Sequence, residues 1–239
     1  MRAFLDFFRT ATNNHPYPFQ ERLAAQPIAS RAMRVPTGAG KTAAVILSWL
    51  HRLGEGHPDA PRRLAYCLPM RVLVDQTVAQ ARKWISTLQL PVGVATLMGG
   101  EVEEQWEVYP ERPYIIVGTQ DMLLSRALNR GYAMSRYRWP VHFGLLNNDC
   151  LWVCDEVQLM GDGLATSAQL AAFRESFQTF NKCPTIWMSA TIDSRMLHTV
   201  DLPDAPVTFE LLEEDFARED LNRRLTARKD LEKAPDDCG

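Results

Sequence analysis

The residues best equipped for chemistry stand in two short strings. Val35-Pro36-Thr37-Gly38-Ala39-Gly40-Lys41-Thr42 follows a short apolar run and precedes residues 43–53, which are almost entirely apolar. Strand, glycine loop and buried helix in that order make a phosphate cradle. Gly38 and Gly40 let the backbone turn tightly and approach phosphate oxygens, and the N–H groups that open the helix point at the anion. Lys41 brings a point charge for the β and γ phosphates and Thr42 a hydroxyl for Mg²⁺, with Thr37 and Ala39 completing the loop. The strict pattern has glycine where this chain has Val35. The second string, Asp155-Glu156-Val157-Gln158, ends the apolar run 151–154, where open α/β sheets place their ligands. Asp155 is placed to hold Mg²⁺ directly or through water, and Glu156 to orient the water that attacks the γ phosphate. Two carboxylates that merely cap the next helix would look the same in isolation. The phosphate loop upstream separates the two cases, and Mg-ATP is the predicted ligand.

The elements that must position these strings alternate along the chain. Residues 64–68, 92–97, 114–117, 151–154 and 185–188 are short apolar runs of the kind found in strands covered on both faces. Between them, 71–88 carries Val74, Val78, Ala81, Ile85 and Leu88 at helical spacing, a helix is expected from about 120 to 129, and another presents Leu170, Phe173, Phe177 and Phe180 on one face. Strands alternating with helices imply a doubly wound, mainly parallel sheet with helices on both faces. Residues 1–30 form a lead-in. The stretch 13–20, with two prolines and two asparagines, reads as a loop, and helix resumes at 21–25. Residues 31–200 form the ATP-binding unit. Residues 201–239 look like a linker or frayed tail, charge-rich from 211 onward.

With 239 residues, 46% hydrophobic and 23% charged, the chain has the composition of an ordinary globular protein. Its net charge of −3 argues against coating nucleic acid electrostatically but leaves room for a local basic groove. The five cysteines show neither zinc spacing nor a secreted framework, which fits a reducing cytosol. Cys150 and Cys154 would lie about 13 Å apart along one strand, too far to share a metal or a disulfide. Asp6 and Arg9 interrupt any signal-peptide core, and no run reaches the length of a membrane span. In 131–149, aromatics (Tyr132, Tyr137, Trp139, Phe143) stand among Arg130, Arg136 and Arg138. This is either an ordered surface loop or a platform for single-stranded nucleic acid.

The order of motifs resembles the first half of a superfamily 2 helicase, a RecA-like P-loop domain: Val-Pro-Thr-Gly-Ala-Gly-Lys-Thr, then the Asp-Glu box, then Ser189-Ala190-Thr191. The resemblance implies that Ser189 and Thr191, with Gln158 of the box, couple ATP state to nucleic-acid grip. It also places an adenine-reading glutamine upstream of the loop, where Phe19-Gln20 stands; an amide can both give and take hydrogen bonds at adenine. Leu68-Pro69-Met70-Arg71-Val72-Leu73-Val74-Asp75-Gln76 resembles the motif that touches the strand backbone. Arg71, Gly99, Gly100, Thr119 and Gln120 are the implied phosphate contacts. Each of these also has an ordinary structural explanation: Gln20 as polar surface, Arg71 as a solvated helix start, Gly99 as a turn and Thr119 as a helix cap.

More narrowly, residues 152–161 with Gly163-Leu164-Ala165-Thr166-Ser167-Ala168-Gln169-Leu170 resemble the helicase part of the CRISPR-associated helicase-nuclease of type I interference. Gln158 departs from the Asp-Glu-Val-His usual there and suggests a divergent subtype. That family implies 3′-to-5′ translocation on single-stranded DNA, an RNA-guided surveillance complex as partner and an attached metal nuclease domain. No His-Asp dipeptide is present, and His15, His51, His57, His142 and His198 are scattered. The residues after Thr191 are too few for a second RecA-like domain. The expected role is therefore the first half of a DNA motor whose second half lies elsewhere. An RNA helicase or restriction-type translocase fragment, and a nucleotide-gated interaction module that does not translocate, remain as alternatives.

Overall fold

In the computed structural model, which describes residues 3–99, 101–102, 105–132 and 134–226, helices α1 (Phe4–Thr12) and α2 (Pro18–Ala25) lead into β1 (Arg31–Arg34). There follow α3 (Lys41–Gly54), β2 (Arg63–Leu68), α4 (Arg71–Leu88), β3 (Gly93–Met98), β4 (Glu101–Val102), α5 (Gln105–Val108), β5 (Tyr114–Thr119) and α6 (Gln120–Ala127). The chain continues with α7 (Trp139–Asn147), β6 (Cys150–Asp155), α8 (Asp162–Phe177), β7 (Thr185–Ser189), β8 (Thr208–Glu210), α9 (Glu213–Phe216) and α10 (Glu219–Thr226).

The strands form one eight-stranded sheet in the order β4-β3-β5-β2-β6-β7-β1-β8, parallel throughout except for the β3–β4 edge pair. Side chains alternate across a pleated sheet, so each strand supplies two cores. Leu64, Tyr66 and Leu68 of β2, with Leu151 and Val153 of β6, pack on the face covered by α1 to α4. Ala65 and Cys67, with Trp152 and Cys154, pack on the other, under α6 to α8. Because Asp155 follows Val153 by two residues, it shares the face of α3. The alternation therefore aims the carboxylate at the N-terminus of the helix that begins at Lys41. All parallel strands end at the same edge, so the segments after Arg34, Leu68, Met98, Thr119, Asp155 and Ser189 converge there.

Several local expectations are corrected. Phe19 and Gln20 do not lie in a loop: α2 begins at Pro18, whose locked φ suits the first helical position, and the Gln20 side chain closes a capping box on Tyr17. Segment 131–149 contains a short 3-10 turn (Arg136–Arg138) and α7 rather than a continuous loop. Helix α8 stops at Phe177, so Phe180 lies beyond it, and of the residues read on one face Leu170 is buried while Phe177 is 79% and Phe180 95% exposed. What α8 buries includes Leu164, Ser167, Ala168, Leu170 and Arg174; Ser167 Oγ accepts from the Trp187 indole N–H at 2.8 Å, and Arg174 donates to Thr185 Oγ1 at 3.2 Å. The segment after 200, read as a linker or tail, adds β8 beside β1, and α9 docks through Asp215, fully buried and 3.1 Å from Arg22 of α2. Gly100 and residues 227–239 lie outside the described residues.

Candidate functional site

The phosphate loop is built by backbone conformations that few residues other than glycine adopt. Gly38 and Gly40 have φ of 85° and 88°, and a Cβ on Gly40 would come within 2.9 Å of Gln20 Nε2. That nitrogen donates to the Gly40 carbonyl at 3.1 Å, while Gln20 Oε1 accepts from the Tyr17 N–H at 2.9 Å. Gln20 is thus buried and fastens α2 to the loop. It also lines a cleft of about 620 Å³ with Tyr17, Ala39, Gly40 and Thr42. Beyond the loop, a second cleft of about 380 Å³ is walled by Thr37, Gly38, Lys41, Thr42, Asp155 and Glu156.

The two motifs meet. Lys41 Nζ lies 3.2 Å from Glu156 Oε1 and 3.9 Å from Asp155 Oδ1, and all three side chains are largely buried. Burial raises the Asp155 pKa, partly offset by the Tyr66 hydrogen bond and the Lys41 charge. Neither carboxylate caps a helix: Glu156 sits at the start of a short 3-10 turn (Val157–Leu159) without a side-chain cap bond. Asp155 Oδ1 instead accepts from the Glu156 N–H at 2.8 Å, and Asp155 Oδ2 accepts from the Tyr66 hydroxyl at 2.7 Å. Tyr66 also contacts Thr42 Oγ1 at 3.1 Å and is fully buried. Sequence reasoning missed Tyr66, because a tyrosine inside an apolar strand reads as core; its shared parity with Leu64 and Leu68 was the available signal.

From Glu156 a chain of hydrogen bonds leaves the phosphate site. Gln158 Nε2 donates to Glu156 Oε2 at 2.7 Å, and Ser189 Oγ donates to Gln158 Oε1 at 2.6 Å. The Thr191 N–H donates to Ser189 Oγ at 3.1 Å. Ser189 is the last residue of β7, in register with Arg34 at the end of β1, so its side chain reaches the Asp-Glu segment from the neighbouring strand.

Arg71, Gly99, Thr119 and Gln120 line one open cleft of about 960 Å³, together with Met160, Asp162 and Gly163. Arg71 is exposed at the first position of α4 and lies against Gly99, where a Cβ would meet its Nη2 at 2.5 Å. Gln120 packs on Gly163 in the same way, 2.6 Å from a hypothetical Cβ, and its buried Oε1 has no hydrogen-bond partner among the described residues. Thr119 occupies the cap position of α6, yet its hydroxyl makes no capping bond. The segment 156–163 therefore has one end in the phosphate site and the other in this cleft.

The donor set fits a magnesium nucleotide. Among the described residues no group of three or more His, Cys, Asp or Glu could hold a metal. A cation between Thr42 and Asp155 would complete its shell with phosphate and water oxygens, as Mg²⁺ does. Such an ion would neutralise charge on the phosphates, with Lys41 and the loop N–H groups placed to bind them and Glu156 placed to orient an attacking water. No helix of the described residues is long and apolar enough to cross a membrane.

A parallel sheet with a phosphate loop after one strand and an Asp-Glu pair after another defines a RecA-like nucleotide-binding domain. The sequence profile of the DEAD/DEAH box helicases matches residues 17–200, and the chain belongs to that family. The curated "ATP-dependent RNA helicase ddx54" of Dictyostelium discoideum is 27% identical over 105 residues, covering 44% of this chain and 10% of that protein. Among solved structures, the DUF1998 helicase MrfA bound to DNA superposes with a TM-score of 0.64 at 18% identity, over 88% of this chain and 30% of its own. DEAD-box helicase Mss116 bound to ssRNA and UDP-BeF gives 0.59 at 19%, over 85% and 42%. S. cerevisiae Dbp5 bound to RNA and ADP BeF3 gives 0.58 at 20%, over 89% and 50%. These low identities speak to the fold, and the chain spans half or less of each of these proteins.

Proposed function

We propose that this domain is the ATP-binding first half of a motor on single-stranded DNA, acting in CRISPR type I interference in the cytoplasm. It works with a second RecA-like domain, a surveillance complex and a metal nuclease domain. In this account Lys41, Asp155 and Glu156 carry the ATP chemistry, Thr42 and Asp155 hold Mg²⁺, and the loop residues Thr37 to Gly40 cradle the phosphates. Gln20 faces adenine with the hydrogen-bonding capacity left beyond its two internal bonds.

The observation that carries the motor reading is the hydrogen-bond chain Glu156–Gln158–Ser189–Thr191 together with a segment that joins the phosphate site to the Arg71 cleft. A contact that forms at the γ phosphate can thereby bias the grip on a strand, which is a coupling free energy between two sites. The DNA track and the interference role are supported by the resemblance over residues 152–170. A second reading, an RNA helicase fragment, is favoured by the similarity to the Dictyostelium protein.

Binding of matched DNA and RNA oligonucleotides to the wild-type chain, with and without a non-hydrolysable Mg-ATP analogue, tests these readings. DNA preference and a nucleotide-dependent change in affinity are expected. RNA preference favours the second reading, since a 2′-hydroxyl can be sensed, and nucleotide binding without strand binding at low salt favours an interaction module. Rapid ATP hydrolysis by this chain alone, stimulated by DNA, would contradict the need for a second domain.

A further inference from the structure

The Tyr66 hydroxyl stands at the metal site without a role in binding phosphate or attacking water. The ring is fully buried on the sheet face under α3. Phenylalanine would fill that volume without needing a partner for a buried hydroxyl. Its partners are the two residues to which the nucleotide-site reading assigns the cation, Thr42 Oγ1 at 3.1 Å and Asp155 Oδ2 at 2.7 Å.

Resting on the nucleotide-site reading above, we propose that Tyr66 is a positioning residue for Mg²⁺, setting from beneath the site the hydrogen-bond polarity of both protein ligands. A phenol has one proton. Donated to the Asp155 carboxylate, it leaves the phenol oxygen to accept the Thr42 proton. A hydroxyl that ligates a cation must turn a lone pair toward the cation and its hydrogen away, and Tyr66 supplies the acceptor for that hydrogen. On Asp155, the phenol holds Oδ2 while the Glu156 N–H holds Oδ1, so the plane of the carboxylate is fixed from two sides. Ligands held this way lose little freedom when the cation arrives, and that preorganisation tightens binding. The same fastening ties β2 to β6 and to the start of α3 at the point where all three meet the phosphate loop.

The test is Mg²⁺-dependent binding of a fluorescent ATP analogue to the full chain, wild type against Tyr66→Phe, with a parallel titration in EDTA. The half-saturating Mg²⁺ concentration should rise about fivefold to tenfold in Tyr66→Phe, the scale of one net hydrogen bond. Affinity in EDTA should stay within about twofold of wild type, which also shows that the variant is folded. An unchanged or lower half-saturating Mg²⁺ in a variant with normal binding in EDTA overturns the proposal. The second measurement needs no substitution: in wild-type protein carrying carbon-13 at the tyrosine ring carbon bonded to the hydroxyl, the Tyr66 resonance should move with added Mg²⁺ at constant nucleotide. A Tyr66 resonance that ignores Mg²⁺ also overturns it. Nucleotide binding by wild type that does not respond to Mg²⁺ at all would instead sink the nucleotide-site reading on which the proposal rests.

Discussion

Lys41 Nζ and Asp155 Oδ1 lie 3.9 Å apart, although their motifs are separated by four strands of the sheet in sequence. The contact follows from two simple facts. Strand β6 carries Asp155 on the side facing α3, and α3 begins at Lys41. Folding thus gathers a cation, a carboxylate and a run of backbone N–H groups around one point, with the carboxylate largely buried.

The buried carboxylate makes the stability of the fold depend on pH. Burial holds the Asp155 carboxyl above the usual aspartate range. A carboxyl whose folded pKa is raised stabilises the fold below its unfolded pKa and loses that contribution as pH rises through the folded value. Asp155→Asn should therefore match or exceed the wild-type thermal midpoint in EDTA. Its advantage should grow as pH climbs from about 4, the unfolded aspartate value, and level off once the folded carboxyl is ionised. A melt series over pH checks it. A wild type that gains on Asp155→Asn as pH rises would show that the carboxylate is stabilised in place.

Glu156→Gln keeps the size of the side chain and its contact with Gln158, and it removes the charge that would orient an attacking water. Nucleotide affinity should stay within a few-fold of wild type or increase, since Glu156 also competes with phosphate for Lys41. Turnover in the motor completed by its second domain should fall by about a hundredfold or more. Comparison of equilibrium binding with steady-state hydrolysis separates the two effects.

Much of this site was legible in print. The Asp-Glu pair and the Ser-Ala-Thr string each end an apolar strand and the glycine loop follows the short strand Arg31–Arg34, and parallel strands deliver their ends to one edge, so their meeting needed only the fold class. Helix α4 was equally plain, because Val74, Val78, Ala81 and Ile85 keep one face buried. Local pattern failed where distant partners decide. Phe173 and Phe177 hold helical spacing with Leu170, yet the side of α8 that faces β7 is the one whose Ser167 meets Trp187 and whose Arg174 meets Thr185. Asp215 reads as part of a charged tail until Arg22, far upstream in sequence, is seen to pair with it. Tyr66 looks like one more apolar strand residue until its hydroxyl is traced to Thr42 and Asp155.

Arg71 offers a guanidinium at the mouth of the large cleft, held over Gly99. If it contacts a phosphate, Arg71→Ala should weaken binding to single strands of any sequence by a similar factor. The slope of log affinity against log salt should become shallower by about 1 or slightly less. Affinities measured from about 50 to 200 mM salt on two unrelated sequences decide the point; a sequence-selective loss, or none, would remove Arg71 from the interface.

The most direct measurement is calorimetric binding of a non-hydrolysable Mg-ATP analogue to the wild-type chain and to Lys41→Ala, with thermal melts of both. The wild type is expected to bind, and Lys41→Ala to lose affinity by at least about a hundredfold, the scale for removing a partly buried charge from a phosphate. Loss of Lys41 leaves Asp155 and Glu156 without their buried cation, so the variant's melting temperature without nucleotide should fall while its unfolding stays cooperative. Equal binding by Lys41→Ala, with both proteins folded, would place the nucleotide somewhere other than beside Lys41 and Asp155.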